Sequence, residues 1–503
     1  MTRFDAATRR LLACLLVFTG AWTALSVWLY RTPPIDNVEQ LVWREALAWG
    51  YYKHPPLPTW LLAAASPAWP ATPLLTYALG AACMVLTLLL FHALLRRLLG
   101  RGDALLAVLA ALCLTYATDR LTVYNHNVVM LPFIAGTLYL LWRATERPSL
   151  RAWAGIGVLL GLGMLTKYQM GLLALCVAAW WLRMGGWRSS VHRVGLALAI
   201  VLAALAFAPH VLWLTQNGWG PLSYASDSSL GAHLPLAERP GHVLRWLADW
   251  LGNRLAPAWI MVFSVAGVLS FTAGRALRTL APAPGHLKRD FLLLAGFGPM
   301  ALMASLCLAG GIYLQMKWST AFALWTVPAV QVLLPRRWRL GDAPPPRAAW
   351  WLWAVLQAVL LVYTLRTAEI GARNPMGSGG WRHRDFAAMA STLPARAGPV
   401  TLVSGPYGVA GMLARQLPGQ PHVLIDGQLA RSPWLSAADL AQARAISVWP
   451  TCHRPADAHA LAPGWAWWPH PAPPPLDERY SAAEDLLRRK AQHSGGTSVV
   501  VCQ

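Results

Sequence analysis

Long apolar runs, broken by short basic clusters, repeat along most of the chain. Runs of about 17–20 residues with almost no charge are candidates to cross a bilayer as helices. Inside lipid the backbone must bond to itself, so a spanning segment of this kind is helical. The pattern predicts about eleven (11–13) transmembrane helices, near 11–30, 72–95, 104–118, 128–142, 152–166, 169–183, 194–214, 257–273, 291–311, 318–334 and 349–366. The expected fold class is a polytopic α-helical membrane protein with a C-terminal extracytoplasmic α/β domain. The first run is too long for a signal peptide and reads as an uncleaved anchor.

The basic clusters then orient the spans. Arg3/Arg9/Arg10, Arg96/Arg97/Arg101, Arg143/Arg147/Arg151, Arg183/Arg188/Arg193, Arg275/Arg278/Lys288/Arg289 and Arg336/Arg337/Arg339/Arg347 fall in alternate connections. That makes about 20 basic residues on one side against about 9 in the opposite loops before the C-terminal part. The positive-inside rule assigns the richer side, and the N-terminus, to the cytoplasm. Two outside loops are long, 31–71 and 216–256. Their Trp49, Tyr51, Tyr52, Trp60, Trp213, Trp219, Trp246 and Trp250 are expected chiefly as an interfacial aromatic belt.

After the last apolar run the pattern changes. GARNPMGSGG (371–380) reads as a flexible linker. Beyond it, HRDFAAMASTL reads as helix, and PVTLVSG, HVLID, AISVW and TSVVV read as strands of a small α/β domain over 381–503. The Pro-rich APGWAWWPHPAPPP reads as a surface loop or linker. The membrane part is then 1–370.

Composition agrees with this division: 56% hydrophobic residues, 13% charged and a mean hydropathy of +0.41. The net charge of +21 lies in the connections between apolar runs, which argues against a nucleic-acid partner. Cys14, Cys83, Cys113, Cys176 and Cys307 sit in apolar runs and read as small buried hydrophobes. Cys452 and Cys502 lie in the C-terminal part, where a disulfide is chemically permitted outside the cell.

Candidate chemistry gathers in the first outside loop, I-D-N-V-E-Q-L-V-W-R-E-A-L-A-W-G-Y-Y-K-H-P-P-L-P-T-W. A helix begun at Asp36 puts Asp36, Glu39 and Gln40 on one face. An N-cap at Asp36 with Glu39 closing a capping box is the structural alternative. Gly50 ends that helix, and Lys53-His54-Pro55-Pro56 turns a cation and an imidazole back toward the acids. Such a set suits proton removal and anion stabilisation.

Other polar groups are expected on the same side: Asp119 and Arg120, Tyr124, Asn125, His126 and Asn127, Lys167 and Tyr168, His210, Gln216, Asn217 and Lys317. Ionisable groups at the membrane are costly and are functional candidates by default. Snorkelling is the structural alternative for Lys167 and Lys317. Cations there would suit a phosphate at the outer interface. His54, His126 and His210, with Asp36 or Glu39, are the candidates for a divalent metal, but no local ligand spacing supports one. No cofactor is expected: there is no P-loop, dinucleotide glycine motif or nucleophile elbow.

Asp36-x-x-Glu39-Gln40 followed by Trp49-Gly50-Tyr51-Tyr52-Lys53-His54-Pro55-Pro56-Leu57 resembles the first periplasmic loop of bacterial family 39 glycosyltransferases. These are GT-C-fold enzymes related to protein O-mannosyltransferases and the lipid A aminoarabinose transferase. GLGMLTKYQMGLL, APHVLWLTQNGW and SPWL are similar to that family too. The resemblance implies an inner-membrane enzyme with a periplasmic C-terminal domain, a polyprenyl (undecaprenyl) phosphate sugar as donor, and inversion at the anomeric carbon. The implied acceptor is lipid A, another envelope glycan or a protein. The family's catalytic aspartate falls on Asp36. Many relatives carry Asp-Glu as neighbours, whereas Asn37 follows here, leaving Glu39 as the second carboxylate.

Tyr52, Lys53, His54, Arg120, Asn125, His126, Lys167, Tyr168 and Lys317 are the expected substrate-binding groups, and lysines among them would neutralise the departing lipid phosphate. If the acceptor is itself an ionised phosphate, it needs no base and Asp36 only positions groups. The alternative from another class is a transporter or flippase of lipid-linked sugar, which needs polar groups at mid-membrane and access from both faces. A binding or assembly role for the C-terminal domain is a third reading.

Overall fold

The computed structural model describes residues 6–68, 72–225, 233–272, 285–377, 379–393, 399–451, 455 and 457–471. Its helices in chain order are α1 (Ala6–Leu29), α2 (Ile35–Trp43), α3 (Leu57–Ala65), α4 (Pro73–Leu98), α5 (Arg101–Ala111), α6 (His126–Glu146), α7 (Leu150–Met164), α8 (Met170–Arg183) and α9 (Ser190–Gln216). There follow α10 (Gly220–Ala225), α11 (Arg239–Ala248), α12 (Ala256–Thr272), α13 (His286–Gly310), α14 (Thr320–Gln331), α15 (Arg347–Arg373), α16 (Phe386–Ser391), α17 (Tyr407–Gln416) and α18 (Ala437–Gln442).

The expectation of about eleven spans is corrected. Among the described residues six helices, α1, α4, α6, α9, α13 and α15, are long and apolar enough to cross a membrane. A seventh span results only if Leu236–Arg254 and Ala256–Val268, bent by 63°, count as one. The other apolar runs form shorter helices. The 11 residues of α5 and 12 of α14, at 1.5 Å each, reach roughly 18 Å of a hydrocarbon core about 30 Å thick.

Hydropathy misleads here because a helix packed in protein is as apolar as one facing lipid. Gly102 to Ala111 of α5 are buried except Leu105, and Phe322, Trp325 and Val327 of α14 are fully enclosed. The 15-residue α7 lies tightly on α9. A Cβ on Gly157 would stand 2.5 Å from the Ala199 carbonyl oxygen, and one on Gly161 2.9 Å from that of Ala203. Small residues permit such close backbones in membrane helices. The outward faces of α9 and α15 carry exposed Ile200, Val201, Leu205, Trp351, Val355 and Val359, the signature of a lipid-facing surface. The molecule is thus a multi-pass membrane protein. Trp246 and Trp250, expected in the interfacial belt, are buried instead, packed edge-on at 5.0 Å.

The C-terminal part carries a five-stranded sheet of β1 (Leu402–Gly405), β2 (His422–Ile425), β3 (Ala445–Pro450), β4 (His459–Ala462) and β5 (Trp465–Trp468). The order is β2-β1-β3-β5-β4, with β2-β1-β3 parallel and β5 antiparallel to both its neighbours. β5 falls in the stretch read from sequence as a Pro-rich loop. Its Ala466, Trp467 and Trp468 are buried, and Gly464 at φ 78° turns the hairpin. The expected TSVVV strand and the Cys452–Cys502 pair lie outside the described residues.

α15 continues through Arg373, into the stretch read as linker. Residues 381–382 then fasten to the first loop: Arg31 and Thr32 N–H both donate to the Arg382 carbonyl, and Trp381 Nε1 donates to Pro33 O at 2.8 Å. α17 packs on α2, burying Val38, Val42 and Trp43 with Val409, Met412 and Leu413. The sheet is therefore joined to the helix that bears the acidic residues.

Candidate active site

α2 begins after Pro33-Pro34, whose rings pre-set the backbone for helix entry. Pro34 occupies the N-cap position and no side chain caps the helix. The capping-box reading of Asp36 and Glu39 does not hold, because the helix starts two residues earlier than that reading needs. Asn37 is fully buried. It donates to Thr76 Oγ1 at 2.7 Å and the Thr122 carbonyl at 2.8 Å, and accepts from Tyr124 N–H at 2.9 Å. Its work is to tie α2 to the chain before α6.

That tie brings Asn125 to Asp36. Asn125 Nδ2 donates to Asp36 Oδ2 at 2.7 Å, while its own oxygen accepts from Asn127 and Val128 N–H as the cap of α6. One turn along α2, the buried Glu39 meets Lys53, with Nζ 2.8 Å from Oε1. Burial raises the Glu39 carboxyl above its ordinary range, and Lys53 pulls it part of the way back. Burial alone would lower Lys53, but Glu39 and the neighbouring Tyr224 and Asp36 outweigh it and hold the ammonium charged.

Both acids border a cavity of about 430 Å³. Lys53 and His54 line it from the first loop, Asn125, His126 and Asn127 from the start of α6, and Lys167 and Tyr168 from the break between α7 and α8. Lys317 enters from the turn before α14, Tyr224 from α10 and Tyr407 from α17. Lys167 Nζ donates to Asn127 Oδ1 at 2.7 Å and makes no salt bridge among the described residues. Burial first, and then repulsion from Lys317, lower its pKa to about 7. Lys317 is lowered too, chiefly by burial. Half-buried Lys167 and exposed Lys317, neither in contact with a carboxylate among the described residues, make a cationic wall that suits an anion.

The remaining expected residues divide. The His54 and His126 rings lie 4.2 Å apart, and burial, His126 and Lys167 together keep His54 well below its ordinary range. Tyr168 OH pairs with His210 Nε2 at 2.8 Å, and His210 Nδ1 with the Trp49 carbonyl at 2.6 Å. His210 thus braces Tyr168 and does not line the cavity. Tyr52 stands behind Lys53, whose Nζ is 5.3 Å from its ring. Arg120 is exposed, 6.0 Å from the Tyr116 ring, and does not reach the cavity. No group of three or more metal-ligating side chains occurs among the described residues.

Tyr224 and Tyr407 were not foreseen. Neither has a local sequence signal for this role, since each reaches Lys53 across a long chain separation. Gly408 and Gly411 of α17 are the one hint, as small residues on one helix face let it lie close to a neighbour.

The arrangement thus joins a hydrogen-bonded carboxylate, a second buried acid with its own lysine, and two further lysines on the cavity wall, Lys167 half-buried and Lys317 exposed. Residues 53–213 match the profile of a family described as dolichyl-phosphate-mannose-protein mannosyltransferase. The chain is also similar to two lipopolysaccharide core galacturonosyltransferases of Rhizobium johnstonii. It is 24% identical to RgtA, covering 84% of this chain and 83% of that protein, and 24% identical to RgtB, covering 78% of each. Among solved structures, ArnT from Cupriavidus metallidurans bound to undecaprenyl phosphate aligns at a TM-score of 0.47 and 13% identity, over 91% of this chain and 97% of that one. The Archaeoglobus fulgidus oligosaccharyltransferase aligns at 0.42 and 11%, over 87% and 69%.

Proposed function

We propose that the chain is an inverting glycosyltransferase of the GT-C type, family 39, moving a sugar from a polyprenyl phosphate to an extracytoplasmic acceptor. The observation that carries this reading is the pairing of Asp36 with Lys167 and Lys317 around one cavity. Phosphate is the leaving group of such a donor, and negative charge grows on its oxygen as the bond to the anomeric carbon breaks. Preset cations stabilise that charge in an enclosed site far better than in water. Lys167, with its pKa near 7, gains a proton or shares one as the phosphate arrives.

At the other end, the acceptor hydroxyl attacks the anomeric carbon from the face opposite the phosphate, which inverts the centre. Asp36 accepts the hydroxyl proton, held in place by the Asn125 amide. Glu39, engaged with Lys53, keeps that wall of the cavity polar and oriented. Similarity to lipopolysaccharide core galacturonosyltransferases supports an envelope glycolipid as acceptor. Arg9 and Arg10 at the start of α1 and Arg96, Arg97 and Arg101 about the end of α4, opposite the first loop, support a bacterial inner-membrane location with the cavity and the C-terminal sheet on the periplasmic side.

Mass spectrometry of envelope lipids and glycans, from cells with and without the gene, tests this. The gene-deleted cells should lack one sugar on an envelope glycolipid and accumulate its polyprenyl-phosphate donor. An unchanged envelope would count against the proposal.

A further inference from the structure

Lys53 is enclosed on more sides than an ion pair requires. Its Nζ lies 3.8 Å from the centroid of the Tyr407 ring, with Tyr52 and Tyr224 at 5.3 and 5.5 Å. A cation within about 6 Å of an aromatic face is attracted by the ring's negative quadrupole, most strongly where water is excluded. The closest of the three rings comes from the C-terminal sheet region, more than 350 residues along the chain.

The local fold holds that ring there. β1 ends at Gly405 with φ 154°, where a Cβ would stand 2.4 Å from the Val448 carbonyl oxygen. Only glycine fits, and Pro406 then starts α17 with Tyr407 as its first residue. Gly411, one turn on, lets α17 lie against α2: a Cβ there would be 2.7 Å from Val42 Cγ2 and 2.9 Å from Val38 Cγ1. α2 bears Asp36 and Glu39, so the sheet, the tyrosine and the acids are set in one frame.

We infer that Tyr407 is a positioning residue for glycosyl transfer: its ring holds the Lys53 ammonium against Glu39, so that the C-terminal sheet region completes the site. This rests on the proposed function above. Lys53 is then committed to Glu39, and the phosphate is left to Lys167 and Lys317. Without the ring, Lys53 is free to swing into the cavity, and Glu39 loses its fixed partner beside Asp36.

The test uses the purified full chain added to membranes from gene-deleted cells, which supply donor and acceptor. Transfer rate is read by mass spectrometry, and affinity for undecaprenyl phosphate is measured separately. Tyr407→Phe should keep the rate within about twofold, and Tyr407→Leu should lower it roughly tenfold. Fluorinated phenylalanines installed at 407 keep the ring's shape while draining its electron density. The rate should therefore fall stepwise with fluorination, while undecaprenyl phosphate affinity stays within about twofold. The fluorinated series decides the matter even if Tyr407→Leu does not fold. A rate indifferent to fluorination overturns the inference. So does an affinity that falls together with the rate, since Lys53 would then be a phosphate ligand. Absence of any transfer by the unaltered chain would instead refute the proposed function.

Discussion

The amide of Asn125 serves Asp36 and α6 at once, donating to the carboxylate at 2.7 Å while its oxygen caps the helix. The two roles can be separated by substitution. Asn125→Asp keeps the capping oxygen but sets a second carboxylate against Asp36, where like charges disfavour joint ionisation. Thermal stability in detergent should remain near that of the unaltered chain, while the transfer rate falls at least about tenfold. Asn125→Ala should lose the same activity and also about 1 kcal/mol of stability from the missing cap. Equal rates for the unaltered chain and Asn125→Asp would remove Asp36 from the chemistry.

Lys167 predicts how donor use varies with pH. Burial and Lys317 lower its pKa to about 7, and a bound phosphate raises it again. Binding above that pKa therefore takes up a proton. Donor KM should be flat below about pH 7 and rise by up to about tenfold per pH unit above it. Lys167→Met should weaken donor use and flatten that rise. A donor KM constant from about pH 6 to pH 9 would contradict a role for this ammonium in phosphate binding.

Away from the cavity, buried Asp103 accepts from Leu340 and Gly341 N–H at 2.9 and 3.1 Å and meets Arg339 at 3.3 Å. Both side chains are nearly fully enclosed. Asp103→Ala strands a buried guanidinium and two amides, at a cost of about 3–5 kcal/mol. The yield of folded protein should drop sharply while the rate per folded molecule is unchanged. A reduced rate with normal stability would tie this distant pair to the reaction.

Gly411 tests whether the sheet region and α2 act as one body. A Cβ there meets Val42 and Val38 at 2.7 and 2.9 Å, so Gly411→Val must push α17 off α2. Overpacking of this kind costs about 1–3 kcal/mol. Transfer should fall along with stability, because Tyr407 moves with α17. Normal rates would mean that the chemistry does not need this contact.

The sequence made the first loop legible because charge within an apolar chain is conspicuous whatever the fold. Asp36, Glu39, Lys53, Lys167 and Lys317 stand out for that reason, and all five border the cavity. Span counting failed for the converse reason. α5 and α14 are apolar because protein surrounds them, and hydropathy does not distinguish protein from lipid; α7 and α8 expose Leu150, Val158, Leu175 and Leu182 but are short helices. The turn that brings Lys53 back to the acids was legible in the first loop, whereas the Tyr407 contact stayed hidden because it joins distant segments through packing and leaves no periodic trace. Arg120 shows the same limit from the other side: a basic residue beside promising neighbours, directed outward. The β5 strand was obscured by its flanking prolines, although W-A-W-W is a short apolar run of the kind a buried strand carries.

The most direct test of the account is Asp36→Asn, assayed in membranes from gene-deleted cells beside the unaltered chain. The amide keeps the shape of the carboxylate but cannot accept the hydroxyl proton. Transfer should fall about 10²- to 10⁴-fold, with normal membrane insertion and undecaprenyl phosphate binding retained. Near-normal transfer by Asp36→Asn would contradict the account.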